Sequence, residues 1–260
     1  MSGACYRGVM DTAVRSERAS GATIGAPPEG SASIDVRWLG RIDYRAAWAL
    51  QRELVDARVA GTIGDQLLLL EHPAVLTLGR HADERFVRAP AAELERRGIE
   101  LIRVERGGQV TYHGPGQLVA YPILALSRRG LLIHPLVRAL EEALAETCRE
   151  LGVEAGPRAG HPGCWVQPDG PDPRKIGALG LRVERGVCFH GIALNINPAM
   201  SDFSLLDACG MPGVTSTSIA VELGHPSEPP STAAVARAGT IFANAFARQL
   251  GVELAGPLPA

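Results

Sequence analysis

Lys175 is the only lysine in this sequence of 260 residues, because the other 25 of its 26 Lys and Arg residues are arginine. A desolvated lysine can release its proton in the working pH range, whereas arginine stays charged. Lys175 is therefore a candidate for a proton-handling site. The alternative is that codon bias removed the other lysines and left this one by chance.

Cys209 is the candidate nucleophile among the five cysteines. It precedes Gly210 in an irregular segment, residues 207–213, and cysteines on loops beside glycine tend to be accessible. Cys148, in contrast, falls within a predicted helix and is expected to be buried. A free thiol has a pKa of about 8.5, so a nearby ammonium would raise its thiolate fraction at neutral pH. We hypothesise that Lys175 and Cys209 form such a pair.

A glycine-rich stretch at residues 106–117 is the other candidate site. Paired glycines after a strand let the backbone approach a ligand closely, and Thr111, His113 and Gln117 add polar groups. The stretch is neither a phosphate loop nor a dinucleotide fingerprint, because GxxxxGK[ST] and GxGxxG are absent, and no GxSxG elbow occurs. A plain glycine-rich hairpin is the alternative. For His113 we favour a structural hydrogen bond that orders this loop over general base catalysis.

The cysteines and the charge balance exclude several classes. An odd number of widely spaced cysteines without CxxC argues against a disulfide framework and a zinc ribbon. Cys188 and His190, with His161 and Cys164, match no common zinc spacing, and alternation along a strand explains the first two equally well. The net charge of −2 and the absence of a basic block argue against nucleic acid as a main partner. We expect no metal.

The chain has no apolar run of roughly 18 residues and no secretory signal at its start, which predicts a cytoplasmic protein without membrane contact. Residues 1–33 are rich in Gly, Ala, Ser and Arg. They predict a disordered extension or a start codon placed too early. From Ile34 the pattern is globular and predicts one mixed α/β domain.

Hydrophobic periodicity and end signals predict the main elements of that domain. They are a helix capped by Asp43 and ending near Gly61, a doubly buried strand at Leu67–Leu70, a short helix from Pro90 to Gly98, a strand at Ile99–Val104, a helix with Pro135 in its first turn ending at Gly152, a β-hairpin at Ile176–Ile196, and a last helix from Ser231 or Thr232 to Gly251.

Four ordered motifs resemble those of the octanoyl-[acyl-carrier-protein]:protein N-octanoyltransferases of lipoate biosynthesis. They are the glycine-rich signature from Arg106 to Tyr121, the segment Lys175–Gly180, the segment Phe189–Asn195, and Cys209–Gly210. The resemblance runs from about residue 34 to residue 254 and implies the catalytic domain over that range. Residues 255–260 would then be a C-terminal tail. It also implies a biotin/lipoate protein ligase-like fold, α/β (α+β), with a mixed, largely antiparallel sheet flanked by helices.

The resemblance implies a specific chemistry. Cys209 would take the octanoyl group of octanoyl-acyl carrier protein as a thioester, and a lysine of a lipoyl domain would then receive it as an amide. Lys175 would lower the pKa of Cys209 and act as general acid and base. The acceptors implied are the lipoyl domains of 2-oxoacid dehydrogenase E2 subunits and the glycine cleavage H protein. No cofactor is implied, and we expect a monomer.

The resemblance also assigns an acyl-binding channel to small and apolar residues on neighbouring strands. Its residues are Arg106, Gly107, Gly108, Gln109, Val110, Thr111, Tyr112, His113, Ala178, Leu179, Gly180, Gly191, Ile192 and Ala193. Backbone N–H groups near Gly177 or Gly210 could form an oxyanion hole. Arg37, Arg41 and Arg45 could receive an acidic partner, although a solvated face is the favoured interpretation of these charges.

Two alternatives stay open. An ATP-dependent lipoate or biotin ligase would share the fold but activates its acid as an adenylate and needs no nucleophilic cysteine. A catalytically inactive acyl-binding module is the second, and the presence of both Lys175 and Cys209 argues against it.

Overall fold

The computed structural model describes residues 33–211, 213–226 and 229–259. The first 32 residues of the predicted N-terminal extension lie outside this range, and Ser33 begins the first strand. Among the described residues, no helix is long and apolar enough to cross a membrane.

The described chain alternates strands and helices. The strands are β1 (Ser33–Arg41), β2 (Asp65–Glu71), β3 (Val75–Leu78), β4 (Glu100–Arg103), β5 (Val110–His113), β6 (Gln117–Ala125), β7 (Ala155–Arg158), β8 (His161–Val166), β9 (Arg174–Glu184), β10 (Val187–Asn195), β11 (Thr215–Ser216) and β12 (Glu253–Ala255). The α-helices are α1 (Tyr44–Ala60), α2 (Ala91–Arg96), α3 (Leu126–Arg129), α4 (Ile133–Glu150), α5 (Ile219–Glu222) and α6 (Thr232–Leu250), and short 3-10 helices lie at Glu84–Phe86, Met200–Leu205 and Ala208–Gly210.

Two sheets are present in the described chain. The large sheet has the order β12-β1-β2-β6-β10-β9-β8-β7, with β11 paired to β9. From β2 to β7 every neighbouring pair in it is antiparallel, whereas β1 runs parallel to β2 and β12. The small sheet has the order β4-β3-β5. The mixed, largely antiparallel sheet predicted from the sequence is therefore confirmed.

The large sheet lies between two layers of helix because β2 and its neighbours are apolar on both faces. Leu67 and Leu69 pack with helices α4 and α6, while Leu68 and Leu70 pack with α1 on the other face. Side chains alternate between faces along a strand, so a continuous leucine run supplies both cores. The predicted doubly buried strand is confirmed over Asp65–Glu71, in which every residue is buried.

Local signals in the sequence define the helix ends. The Asp43 carboxylate accepts a hydrogen bond from the Ala46 N–H, and Gly61 ends α1 in the left-handed conformation. The Ser231 hydroxyl caps α6 in the same way by accepting from the Ala234 N–H. The predicted boundaries of both helices are confirmed.

The predicted β-hairpin is confirmed, and a tight turn joins β9 to β10. Its two loop residues, Arg185 and Gly186, have φ of 50° and 79°. Two consecutive positive φ values are typical of a type I′ turn, whose twist matches that of the paired strands. Strands β9 and β10 therefore stay in register from Val187 opposite Glu184 to Leu194 opposite Gly177.

A buried carboxylate joins four elements at one end of two inner strands of the large sheet. Asp65, the first residue of β2, accepts hydrogen bonds from Arg58 Nε of α1 at 2.5 Å, from Arg129 Nε of α3, and from the Ala125 N–H at the end of β6 at 3.0 Å. The Asp65 side chain is fully buried, and those of Arg58 and Arg129 are 5% and 4% exposed. Burial alone would raise the pKa of Asp65, but the N–H and the guanidinium groups outweigh it and hold that pKa below its ordinary value.

We expect Asp65→Asn to destabilise the fold by about 3–5 kcal/mol at pH 7, because it leaves two buried guanidinium groups without their carboxylate. A carboxyl whose pKa is lowered by folding contributes stability above its unfolded pKa, and this contribution is lost as the pH falls through the folded pKa. The difference between the free energies of unfolding of wild type and variant, measured in urea, should therefore become smaller below about pH 4. Asp56→Asn, which removes the exposed partner of Arg185, is the control and should leave the urea midpoint almost unchanged. Equal midpoints for Asp65→Asn and wild type would contradict this role.

Candidate functional site

An apolar cleft lies where the β9–β10 hairpin, the glycine-rich segment and the first turns of α4 meet. Ile133 and Val137 of α4 form one wall. The predicted residues that line it are Arg106, Gly107, Gly108, Gln109, Val110, Thr111, His113, Lys175, Ala178, Leu179, Gly180, Gly191, Ile192 and Ala193. Residues far apart in the sequence are thus brought to one cavity.

Tyr112 is the one residue predicted for the channel whose described side chain does not line the cleft. Its neighbours Thr111 and His113 in β5 do, and alternate side chains of a strand point to opposite faces. Tyr112 is instead buried against Phe203 and donates its hydroxyl hydrogen to Asp202 at 2.7 Å. Its place is in the core of the small sheet.

Arg106 anchors the glycine-rich segment. Its guanidinium is buried and donates to the Thr77 carbonyl and hydroxyl of β3, each at 2.7 Å, and to the Gly107 carbonyl at 3.0 Å. The Gly107 N–H donates in turn to the Leu181 carbonyl of β9 at 2.9 Å. These bonds hold the segment between the small sheet and the hairpin, with its backbone against the cleft.

Two glycines outside the segment permit this close approach. A Cβ atom at Gly79 would lie 2.0 Å from the Gly108 carbonyl oxygen, and one at Gly180 would lie 2.8 Å from the Gly107 carbonyl oxygen. Both distances are shorter than van der Waals contact. Only glycine at these positions lets the segment lie flat on β3 and β9.

His113 belongs to a hydrogen-bonded network below the segment. Its Nδ1 lies 2.8 Å from Gln117 Oε1, and Gln117 Nε2 donates to Asn195 Oδ1 of β10, also at 2.8 Å. Burial, with the neighbouring His72 and Arg106 charges, lowers the pKa of His113 to about 3, so its imidazole is neutral at physiological pH. These contacts match the structural role favoured from the sequence.

The inner end of the cleft contains an aromatic and imidazole cluster that sequence reasoning did not assign to the channel. Tyr44, Tyr121 and His190 line the cleft, and His72 lies behind them with its Nε2 2.9 Å from the Tyr121 hydroxyl. Tyr121 and His190 fall within the motifs quoted above, so a signal existed for them. Tyr44 had none, because it reaches the cleft from the start of α1.

His190 is the most unusual member of this cluster. It is 1% exposed, has a φ of 55°, and neither ring nitrogen has a hydrogen-bond partner among the described residues. Burial is the main cause that lowers its pKa to about 3, assisted by Arg106. The ring is therefore neutral and presents polar atoms at the inner end of an apolar cavity.

Lys175 lies in the wall of the cleft and is 5% exposed. Its Nζ donates to the Pro162 carbonyl at 2.7 Å and lies 4.8 Å from the centroid of the Trp165 ring. The adjacent Arg174 has a different environment: it forms ion pairs with Glu222 and Asp172, both at 2.9 Å. Of the two neighbouring cations, Arg174 is therefore paired with carboxylates, whereas Lys175 contacts a carbonyl and an aromatic ring.

The Cys209 segment reaches the same cleft at Met211. Cys209 is the middle residue of the 3-10 helix Ala208–Gly210, which lies beside β5, and its side chain is outside the described part of the structure. Gly210 packs directly on Gln109, and Met211 lines the cleft. Further along, Ser216 of β11 pairs with Lys175. The described residues on either side of Pro212 thus contact the glycine-rich stretch at Gly210 and the lysine at Ser216.

One candidate oxyanion donor is already engaged. The Gly210 N–H donates to the Asp207 carbonyl at 2.9 Å within the 3-10 turn. Of the arginines considered for partner binding, Arg41 pairs with Glu71 at 3.0 Å and Arg45 with Glu100 at 2.5 Å. Their charges are therefore largely matched within the chain.

Comparison with known proteins defines the class. Residues 43–238 match the family model described as lipoyl protein ligase A/B catalytic domain, and the chain belongs to this family. Among solved structures, a bipartite lipoate protein ligase from Thermoplasma acidophilum superposes with a TM-score of 0.63 at 14% identity, covering 87% of this chain and 86% of that one. A lipoate-protein ligase A bound with ATP gives a TM-score of 0.59 at 15% identity, covering 88% and 89%. At such identities these two matches show the fold, and the predicted fold class is confirmed.

Sequence comparison within the family is more specific. An octanoyltransferase from Acidobacterium capsulatum is 46% identical over 198 residues, which cover 73% of this chain and 80% of the relative. An octanoyltransferase from Mycobacterium marinum is 44% identical over 208 residues, covering 77% and 84%. The resemblance drawn from the motifs is thereby confirmed, and the chain is an acyltransferase of the octanoyltransferase type.

The contact between Gly180 and Gly107 predicts a selective defect. Gly180→Ala should displace the segment that Arg106 anchors, because the new methyl group would meet a backbone oxygen and overpacking of this kind is relieved by movement. We expect KM for the octanoyl donor to rise at least about threefold, with a small change in thermal stability. Gly64→Ala is the control, since a Cβ there has no atom within 4 Å. Unchanged kinetics in Gly180→Ala would show that the contact does not shape the cleft.

Proposed function

We propose that this acyltransferase moves an octanoyl group from octanoyl-acyl carrier protein to the lysine of a lipoyl domain, through a thioester on Cys209 and with Lys175 as general acid and base. The observation that carries the proposal is the convergence of two features on one apolar cleft. The only lysine of the chain lines the cleft, and Met211, two residues after Cys209, lines the same cleft.

The first half-reaction exchanges one thioester for another. The Cys209 thiolate attacks the carbonyl carbon of the octanoyl thioester, the carbon–sulfur bond to the carrier breaks, and the departing thiolate takes a proton from the Lys175 ammonium. Octanoyl-Cys209 and a carrier thiol result. Because a thioester replaces a thioester, this step is close to balanced and divides the transfer into two easier ones.

The second half-reaction forms the amide. The acceptor lysine amine attacks the octanoyl-Cys209 carbonyl, the amine proton passes to the neutral Lys175 amine, and Cys209 leaves as a thiolate. The ammonium and thiolate of the starting state are then restored. An amide is more stable than a thioester, so the overall transfer requires no ATP. Lysine suits both steps because it can give and regain a proton, which arginine cannot.

The lining of the cleft suits the aliphatic chain of an octanoyl group. Its walls are backbone, small side chains such as Ala178 and Ala193, and the apolar residues Ile133, Val137 and Ile192. Burial of an octanoyl chain contributes roughly 5 kcal/mol at about 0.8 kcal/mol for each methylene. A chain with its thioester beside Lys175 would extend along β9 and β10 toward His190.

Incubation with octanoyl-acyl carrier protein in the absence of acceptor should add one octanoyl mass to the protein, and peptide mapping should place it on Cys209. Cys209→Ser should carry no thioester adduct. Cys188→Ala is the control, because that thiol is buried against the Pro122 carbonyl, and it should be acylated like the wild type. Failure to form an adduct, or turnover that depends on ATP, would contradict the thioester mechanism and favour an adenylating ligase.

Exchange of cations at two adjacent positions separates charge from proton transfer. Lys175→Arg retains a cation and a donor for the Pro162 carbonyl, yet we expect kcat to fall at least about a hundredfold, since arginine does not release its proton. Arg174→Lys should stay within a few-fold of wild type, because Arg174 contacts Glu222 and Asp172 instead of the cleft. Steady-state transfer kinetics, with circular dichroism to confirm folding, decide the matter. Normal turnover by Lys175→Arg would refute the acid–base role.

A further inference from the structure

We propose that Trp165 is a positioning residue for this reaction: its indole face, together with the Pro162 carbonyl, holds the Lys175 ammonium in place for proton transfer. The proposal rests on the function proposed above and assigns a role to a residue that does not itself line the cleft. Trp165 belongs to β8, the strand next to β9 in the large sheet.

The need for such a device follows from the side chain of lysine. Lysine has four rotatable bonds, so an unrestrained ammonium samples many positions and loses rotamer entropy when it is fixed. The described contacts of Lys175 Nζ are the Pro162 carbonyl at 2.7 Å and the Trp165 ring, whose centroid lies 4.8 Å away. The first contact fixes one N–H direction, and the second attracts the whole cation to the face of the ring.

The Trp165 ring is itself held rigidly. It is 2% exposed, and its Nε1–H donates to the His161 carbonyl at 2.9 Å. A rigid ring can fix the position of a flexible cation, because the entropy of ordering the ring is already lost when the protein folds. Arg158 also approaches this ring, with its guanidinium carbon 5.4 Å from the centroid.

A β-bulge between β8 and β9 places Trp165 opposite Lys175. Cys164 pairs with Gly177, but the next residue, Trp165, pairs with Lys175. The register of β9 against β8 therefore shifts by one residue between these two pairs. Ile176 is the extra residue. Such a bulge rotates the side chains beside it, and bulges are common next to active sites. Here it makes Trp165 and Lys175 direct cross-strand neighbours.

Gly163 brings the β7–β8 hairpin close enough for this contact. Its φ is 117°, and a Cβ there would lie 2.4 Å from the Gly177 carbonyl oxygen and 3.2 Å from Lys175 Cε. Its N–H donates to Glu141 Oε1 of α4 at 2.9 Å. The hairpin is therefore tied to a helix of the core on one side and lies directly over the lysine stem on the other.

The first test replaces the aromatic face. Trp165→Leu should lower the single-turnover rate of Cys209 acylation about tenfold, with the KM for the octanoyl donor unchanged, whereas Trp165→Phe should recover most of the rate. In the Lys175→Ala background, Trp165→Leu should cause no further loss, because a residue that acts through the lysine has nothing left to position. An equal loss in both backgrounds would overturn the proposal. Full activity of Lys175→Ala alone would instead refute the proposed function.

The second test leaves the shape of the side chain intact, so it decides the question even if Trp165→Leu does not fold. Site-specific incorporation of tryptophans with one to four fluorine atoms withdraws electron density from the ring face and weakens its attraction for a cation. The acylation rate should fall stepwise with fluorination at Trp165. The same series at Trp48, whose Nε1–H donates to Glu105, is the control and should leave the rate unchanged. A rate at Trp165 that does not depend on fluorination would overturn the proposal.

Discussion

The cleft depends on one buried cation, the Arg106 guanidinium. It is satisfied by oxygen atoms of Thr77 and Gly107, and through the adjacent Gly107 N–H it connects β3 of the small sheet with β9 of the large one. A planar guanidinium can serve several acceptors at once, and this is the property that distinguishes it from an ammonium. This junction therefore sets where the glycine-rich segment lies against β9, beside Gly180, in the wall of the cleft.

The same distinction between cations explains the composition of the chain. Arginines hold the structure together at Asp65, at Glu222 and at Thr77, where a fixed fork of donors is useful. The single lysine lies where the proposed chemistry requires a proton to leave and return. A sequence bias against lysine therefore left the architecture intact, since its structural cation sites are ones that arginine fills well.

Local features were predictable because their causes are local. Asp43 and Gly61 define a helix by capping, and Arg185–Gly186 defines a hairpin by backbone conformation. The cleft residues were predictable where motifs carried them. The placement of Tyr112 and Tyr44 was not, because it depends on which face of β5 meets the Met200–Leu205 segment and on how α1 packs across the sheet. Such long-range packing leaves no pattern in neighbouring residues, and the bulge at Ile176 is hidden for the same reason.

The buried imidazoles at the inner end of the cleft have a consequence for acid sensitivity. Burial lowers the pKa values of His72, His113 and His190 to about 4, 3 and 3. An unfolded chain would protonate the same rings near pH 6.5, so the folded state progressively loses stability as the pH falls from there toward 3. Through neutral and mildly acidic conditions the rings of His113 and His190, which line the cleft, present an uncharged surface to whatever occupies it. Acid should therefore destabilise the folded enzyme through these three rings, while the imidazoles that face the proposed acyl chain stay uncharged well below neutral pH.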